Sequence, residues 1–410
     1  MDEEIWFEDV EQFLICPRRY CLEKEYKNKR GIISEQETRE MMKLGFSVEK
    51  PILSTELFGL NLVSDPQAVV PDGDKWKIIL NKSAKTFKNK YITEAAFHGY
   101  IFSSVGYIVS EVIIVSPYFT KRIDWRDGLT RLFALIENLA ELRMQDLPEP
   151  KPVSQCKTCP HVLDCTGVLV EKQDLLAIHG LSDKTRIKLI EEGVNNLSAI
   201  IQIQELKDIS KESLEKLKKK ALALIEKKEV VLSQYQELPD GIFLDIESHT
   251  SRNFDYLFGV LVNDKYIPFL CENEEQEYRV FADTIDFLDQ TDGPIYHYCA
   301  YEPSRFSSLS ERWSDLKPVF SKIKKRFADI YQILSKHVAL PLFTYSLKSV
   351  ARLYGFHWRT NLDGLRASRY FQLWLNTHDE LYLKTVLDYN EDDTRAAKVV
   401  WERLNLLRNN

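Results

Sequence analysis

The chain has 410 residues, with 55 Lys+Arg against 62 Asp+Glu and a formal net charge of -7. That length exceeds one ordinary hydrophobic core, so two or three domains are expected. The acidic balance does not advertise nucleic-acid binding, although a local basic groove can sit on an acidic protein. A hydrophobic content of 44% excludes a disordered chain. No run of about 18 apolar residues occurs, which argues against a membrane span or membrane partner. Met1-Asp2-Glu3-Glu4 is acidic and lacks the basic region and apolar core of a signal peptide. A cytoplasmic protein is expected. In a reducing compartment the 7 cysteines are better explained by metal ligation or burial than by disulfides.

Residues 6–26 read as a helix with Phe13, Leu14 and Tyr20 on its apolar side. It contains Cys16-Pro17-Arg18-Arg19-Tyr20. Strands are predicted over 60–63, 68–70, 76–80 and 108–115, and helices over 93–105 and 128–143, an α/β pattern. Lys82, Lys85, Lys88 and Lys90 form a basic run interleaved with Phe87 and Tyr91. Lysines neutralise phosphates and aromatics stack on bases, so the run is either a nucleic-acid contact or a solvated loop. Cys156-x2-Cys159-x5-Cys165 supplies three thiolates. The fourth is expected from Cys16, with Cys21 as its rival. Four thiolates hold zinc or an iron–sulfur cluster, and spacing does not separate the two.

The middle of the chain reads as helices over 174–178, 183–191, 197–201 and 211–235. Breaks fall at His179-Gly180-Leu181-Ser182 and at Glu192-Gly193-Val194. Beyond Pro239-Asp240-Gly241 comes Ile242-Phe243-Leu244-Asp245-Ile246-Glu247-Ser248, an apolar strand running into two acids. Side chains two apart on a strand share a face, so Asp245 and Glu247 project together. Two carboxylates so placed repel unless a cation lies between them, and hard oxygen ligands suit Mg2+ or Mn2+. Further strands are predicted over 254–262, 265–271 and 294–298, and helices over 274–289, 346–354 and 381–406.

Two family resemblances follow from these motifs. Cys16 to Tyr20, taken with the distant cysteine cluster, resembles the RecB-like nucleases of the Cas4 and AddB type. The resemblance implies a restriction-endonuclease-like core and a [4Fe-4S] cluster on Cys16, Cys156, Cys159 and Cys165, with zinc as the alternative. Its active site requires an acid after one strand, here Asp65, and an acid-x-Lys on the next. The second motif reads Ile79-Leu80-Asn81-Lys82-Ser83, so Leu80 replaces the metal-binding acid. A catalytically degenerate nuclease fold is expected. The breaks around Gly180 partly resemble a helix-hairpin-helix module, whose amides bind a backbone phosphate.

The second resemblance is to the DEDD exonucleases of the DnaQ type, in their tyrosine-containing (DEDDy) form. Asp245-Ile246-Glu247 is similar to the first motif, and His297-x3-Tyr301-Glu302 to the second, with His for Asn and Glu for Asp. Tyr389-Asn390-Glu391-Asp392-Asp393 is similar to the third, and i, i+4 spacing on a helix lets Tyr389 and Asp393 converge. The resemblance implies two Mg2+ or Mn2+ ions about 3.5–4 Å apart. Asp245, Glu247, Glu302 and Asp393 would hold them, Tyr389 would orient or help deprotonate the water, and Glu247 could position the 3′ hydroxyl.

The expected organisation is therefore α/β throughout. A restriction-endonuclease-like, RecB-like domain spans 1–170, a helical middle segment 171–238 and an RNase-H-like exonuclease domain 239–410. The expected activity is metal-dependent 3′–5′ hydrolysis of single-stranded nucleic acid, DNA favoured over RNA. Lys82, Lys85, Lys88, Gly180 and His297 are the expected nucleic-acid contacts. The alternatives are a non-catalytic nucleic-acid-binding module, or an endonuclease acting through the RecB-like domain. A helicase or a repair or defence partner is left open.

Overall fold

A computed structural model describes residues 4–23, 34–142, 147–249, 252–360 and 362–408. The chain divides into two compact units, Met1–Val153 and Ser154–Asn410. The boundary expected near 170 thus falls inside the second unit, together with the helical middle.

The first unit contains a five-stranded sheet. Its strands run in the order Val48–Glu49, Ala68–Asp72, Lys75–Asn81, Val109–Ser116 and Phe119–Ile123. Only Lys75–Asn81 and Val109–Ser116 pair in parallel. The helix Lys90–Ser104 covers this sheet with Ala95, Phe97, Ile101 and Phe102 buried. The single helix expected over 6–26 is two, Phe7–Ile15 and Pro17–Leu22. Cys16 is extended between them (φ -156), and its sulfur accepts the Arg19 N–H at 3.4 Å. Proline lacks the N–H that would continue the first helix, but suits the first turn of a new one. Residues 24–26 lie outside the described residues.

The second unit opens with helices Val162–Glu171, Asp183–Glu191, Leu197–Gln202 and Lys211–Glu226. Leu189, Leu197, Ile200, Leu214 and Leu217 form their common core, which also takes in Phe343. The stretch expected as a helix over 174–178 is a short 3-10 turn, Leu175–Ala177. The last helix ends well before the expected 235, because Lys227 turns left-handed (φ 54). The β-branched pair beyond it, Val230–Val231, becomes a strand on Val338–Ala339.

The remainder is a five-stranded sheet with helices on both faces. Its strands are β1 (Ile242–His249), β2 (Phe254–Val262), β3 (Lys265–Leu270), β4 (Ile295–His297) and β5 (Phe327–Asp329), in the spatial order β3-β2-β1-β4-β5. β1 pairs antiparallel with β2 and parallel with β4. Its helices include α1 (Glu277–Asp289), α2 (Tyr301–Arg312), α3 (Ile330–His337), α4 (Leu347–Leu353), α5 (Gly364–Thr377) and α6 (Glu380–Leu407), with a shorter helix, Lys317–Ile323, between α2 and α3. Ile242, Leu244 and Ile246 of β1 pack with Phe281 and Ile285 of α1 and Phe306 of α2. Phe243 points the other way, into a cluster with Ala396, Val400 and Leu404 of α6. The two-residue period of the strand then puts Asp245 and Glu247 on Phe243's face, beneath α6. No helix among the described residues is long and apolar enough to cross a membrane.

Candidate metal centre

Asp245 and Glu247 come from β1 and Asp393 from α6, and each offers a carboxylate oxygen within 4.8 Å of the others'. Among the described residues this is the group of metal-competent side chains that the fold gathers. Its formation depends on long-range packing, since about 150 residues of chain separate the strand from the helix. Tyr389 sits one turn before Asp393, buried, and its phenol hydrogen-bonds the Asp393 carboxylate.

The acids repel one another in a site largely removed from water, with Glu247 and Asp393 buried and Asp245 half-buried. Burial pushes the Asp245 carboxyl well above the usual range, and the Asp393, Glu247 and Glu302 charges add to this. Burial and Asp393 do the same to Glu247. Burial lifts Asp393 to about 6, while the Lys348 ammonium and hydrogen bonds from Trp358 and Tyr389 hold it down. Burial and the nearby Asp393 charge raise the Tyr389 phenol far above its ordinary value. A largely buried, mutually repelling set of hard oxygen donors fits a divalent cation.

Glu302 stands beside this group rather than within it. It lies in the first turn of α2, buried, and its Oε2 has no hydrogen-bond partner. Burial raises its carboxyl to about 8, with Asp329 and Asp393 adding repulsion. The nearest cationic candidate is His297, whose Nδ1 is 3.7 Å from Oε2. That ring is itself buried, and burial lowers its pKa. His297 Nδ1 also lies 2.5 Å from the Cys299 carbonyl. It therefore shapes the turn that delivers Glu302, and presents no open face to a nucleic acid. Asp329 caps α3, accepting the Gln332 N–H, and also accepts the Cys299 N–H.

Residues without an individual role in the sequence reading complete the centre. Asn390 donates through Nδ2 to Asp245 Oδ2 at 2.6 Å. Its own Oδ1 accepts the Tyr266 hydroxyl at 2.7 Å, and the Asp245 carboxylate, an acceptor, selects Nδ2 as the end of the amide that faces it. This arrangement needs Gly259, the β2 residue paired with Asp245: a Cβ there would lie 1.6 Å from Asn390 Oδ1. Trp358 Nε1 donates to Asp393 Oδ1 at 2.7 Å. Lys348 lies over the Tyr389 ring, 4.9 Å from its centroid, and donates to the Leu362 carbonyl. Asn390 was within reach of sequence reasoning, since it lies inside the Tyr389–Asp393 motif. Gly259 and Trp358 carry no local signal.

The other expected contacts fall elsewhere. Lys82 is paired with the buried Glu94 at 2.5 Å, and Leu80 is buried in the sheet core. Tyr91 is buried in the core of the first unit, and Phe87, half-buried, packs edge to face against it. Lys85 and Lys88 are exposed. Gly180 adopts φ +73 ahead of the Ser182 helix cap, and the adjacent His179 carbonyl accepts from Lys220. Cys16 belongs to the first unit and Cys156, Cys159 and Cys165 to the second. The latter three are half-buried against one apolar cluster, and they are not among the side chains gathered at a metal-sized position.

Residues 242–405 match the RNase_H_2 family of the RNase_H superfamily. The second unit thus carries an RNase-H-like domain, with the acidic trio on its central strand and its last helix. No curated protein matches the chain. Two solved structures share limited similarity. The protein SSO0001 is 16% identical, over 41% of this chain and 88% of its own, with a TM-score of 0.26. A protein from Eubacterium rectale named "Putative exonuclease" is 12% identical, over 37% of this chain and 78% of its own, with a TM-score of 0.20.

Proposed function

We propose that the protein is a metal-dependent 3′–5′ exonuclease that hydrolyses phosphodiester bonds of single-stranded nucleic acid, DNA in preference to RNA. The observation that carries this reading is the convergence of Asp245, Glu247 and Asp393 on one position in an RNase-H-like domain. When bound, divalent ions would supply a nucleophilic hydroxide at neutral pH and stabilise the leaving oxygen. Asp245, Glu247 and Asp393 would hold them, with Glu302 completing the second position. Asn390 and Trp358 fix the direction of two of these carboxylates, as partners of metal ligands commonly do. Tyr389 donates its phenol O–H to the Asp393 carboxylate and would orient the attacking water by accepting a hydrogen bond on its oxygen, a role that fits its buried phenol better than that of a base. Lys348 supplies a positive charge facing Asp393 and Glu247, suited to the charge that develops on a phosphoryl oxygen.

Asp393→Ala is expected to abolish Mg2+- or Mn2+-dependent digestion of a 5′-labelled single strand while the protein stays folded. Undiminished digestion would remove the assignment. The position of Glu302 beside the trio favours a second reading, a module that binds nucleic acid without cutting it. Tight oligonucleotide binding with no cleavage across several metals would select that reading. In the first unit, Lys82–Glu94 and the buried Leu80 support a degenerate nuclease core. Loss of all cleavage in Asp393→Ala, including that of circular strands, is the outcome expected of it. The sulfur site is a separate reading that rests on cysteine spacing: iron and absorbance near 400 nm are expected of a [4Fe-4S] protein, zinc without colour of the alternative.

A further inference from the structure

Strand β2 carries a bulge beside the acidic centre. Glu247 of β1 pairs with Leu257, but the next residue, Ser248, pairs with Asp255, so Tyr256 is the extra residue of β2. Alternation along the strand would put Tyr256 with Phe258 and Val260, which pack with Ile242 and Leu244 on the face away from the acids. The bulge turns it over. Tyr256 lies beside Leu257 in a cluster with Phe371 of α5 and Val386 of α6, on the side of the sheet from which Asp245 and Glu247 project. Its ring stacks on Phe371, with centroids 4.0 Å apart and 10° between the planes.

The surroundings hold the bulge in place. The Tyr256 carbonyl accepts the Cys271 N–H at 2.7 Å, and the Asp255 N–H donates to the Glu277 carboxylate at 2.8 Å. The Asp255 side chain, buried, is paired with Arg305 at 2.7 Å and accepts the Ser248 hydroxyl. Bulges beside active sites re-aim side chains, and this one delivers a hydroxyl to the acids' face. Tyr256 is fully buried, yet its O–H has no hydrogen-bond partner. A buried donor without a partner costs stability, and such groups are rare in folded proteins. The charges that reach this phenol are those of the centre. Burial raises it well above the usual phenol range, and Glu247, then Asp245, push it further. Asn390 and Trp358 already direct Asp245 and Asp393, while Glu247 has a share of the Asn390 amide.

We propose that Tyr256 is a positioning residue of the metal centre, its O–H donating to the Glu247 carboxylate in the cation-loaded site. The proposal deepens the nuclease reading and rests on its metal centre, not on cleavage. The full chain is titrated with Mn2+ alone by calorimetry, and Asp393→Ala defines which heat belongs to the trio. Thermal midpoints are measured in EDTA and at a fixed Mn2+ concentration. Tyr256→Phe keeps the ring on Phe371 and removes the hydroxyl. Its Mn2+ affinity should fall about tenfold, as when partners of metal ligands are removed. Its midpoint in EDTA should equal or exceed that of the wild type, because the lost hydroxyl had no partner there. Its gain in midpoint on adding Mn2+ should be smaller. Phe371→Leu, which loosens the stack and keeps the hydroxyl, should lower the EDTA midpoint and leave Mn2+ affinity unchanged.

Unchanged Mn2+ affinity in Tyr256→Phe would overturn the proposal. An EDTA midpoint well below wild type, or failure to fold, would too, since the hydroxyl would then be engaged without the cation. An equal loss of affinity in Phe371→Leu would show that packing, not the hydroxyl, sets the site. Absence of Asp393-dependent Mn2+ heat in the wild type would remove the proposal together with the metal centre. The two readings otherwise fail separately. Mn2+ affinity that depends on the Tyr256 hydroxyl, without hydrolysis of a single strand, sinks the nuclease and keeps Tyr256 in its role. Hydrolysis that is lost in Asp393→Ala, with Mn2+ affinity indifferent to Tyr256→Phe, does the reverse.

Discussion

Gly259→Ala places one methyl group where the structure has no room for it. The added Cβ would lie 1.6 Å from Asn390 Oδ1, 2.8 Å from Asn390 Cγ and 2.9 Å from the Tyr266 ring. Asn390 is fully buried on α6, and its amide is held at both ends. It can yield only by abandoning Asp245. A hydrogen bond to a charged group contributes about 1.5–3 kcal/mol, and overpacking a tight interior costs about 1–3 kcal/mol. The variant should therefore lose roughly 3–5 kcal/mol of stability, taking both together. Displacing the Asp245 carboxylate by about an ångström should lower kcat on the order of 100-fold. The assay pairs urea unfolding with Mg2+- or Mn2+-dependent release of nucleotides from a single strand. Adding Asn390→Ala to Gly259→Ala removes the clash but not the loss of the Asp245 partner. The double variant should regain part of the stability while activity stays low, a non-additive cycle expected of residues in contact. Wild-type stability and rate in Gly259→Ala would refute this account of how Asp245 is positioned.

Trp358→Phe removes the indole N–H on Asp393, and affinity for Mn2+ should fall about tenfold or more by titration calorimetry; equal affinities would deny the indole any part in presenting the carboxylate. In EDTA, stability should decline as pH rises from about 4.5 towards 8. Over that window the folded chain holds a proton on Glu302, raised to about 8 mainly by burial, that the unfolded chain has released. Asp393, raised to about 6, adds to the same slope at its lower end. Glu302→Gln should flatten the decline in the thermal midpoint, and a slope identical to wild type would contradict the assigned burial. Lys227→Gly should stabilise by about 1 kcal/mol by relieving a left-handed cap, measurable as a raised urea midpoint.

Local pattern made much of this molecule legible. The strands 254–262 and 265–270, the helix 183–191 and most of the long last helix follow from alternation, three-to-four periodicity and caps, which act over a few residues. The pairing of Asp245 with Glu247, and of Tyr389 with Asp393, needs only the pitch of a strand and of a helix. Reading failed where conformation turned on one residue. Pro17 breaks, at Cys16, a helix that apolar spacing alone would continue, and Lys227 ends one whose periodicity persists. Phe87 and Tyr91 looked available beside lysines, yet Tyr91 is buried in the core and Phe87 half-buried against it, because burying aromatic surface outweighs leaving it for a ligand.

The sequence by itself determined which acids are carried on which elements and in what order, since that information lies within a turn or a strand. Only the tertiary structure decided that Asp393 meets Asp245 and Glu247 while Glu302 stands aside, because the outcome depends on how α6 crosses β1 and where α2 begins. It also decided that a missing side chain at Gly259 makes room for Asn390, and that Trp358 reaches Asp393. Contacts between residues more than 30 positions apart leave no trace in local periodicity; they exist only once the sheet and its helices have packed.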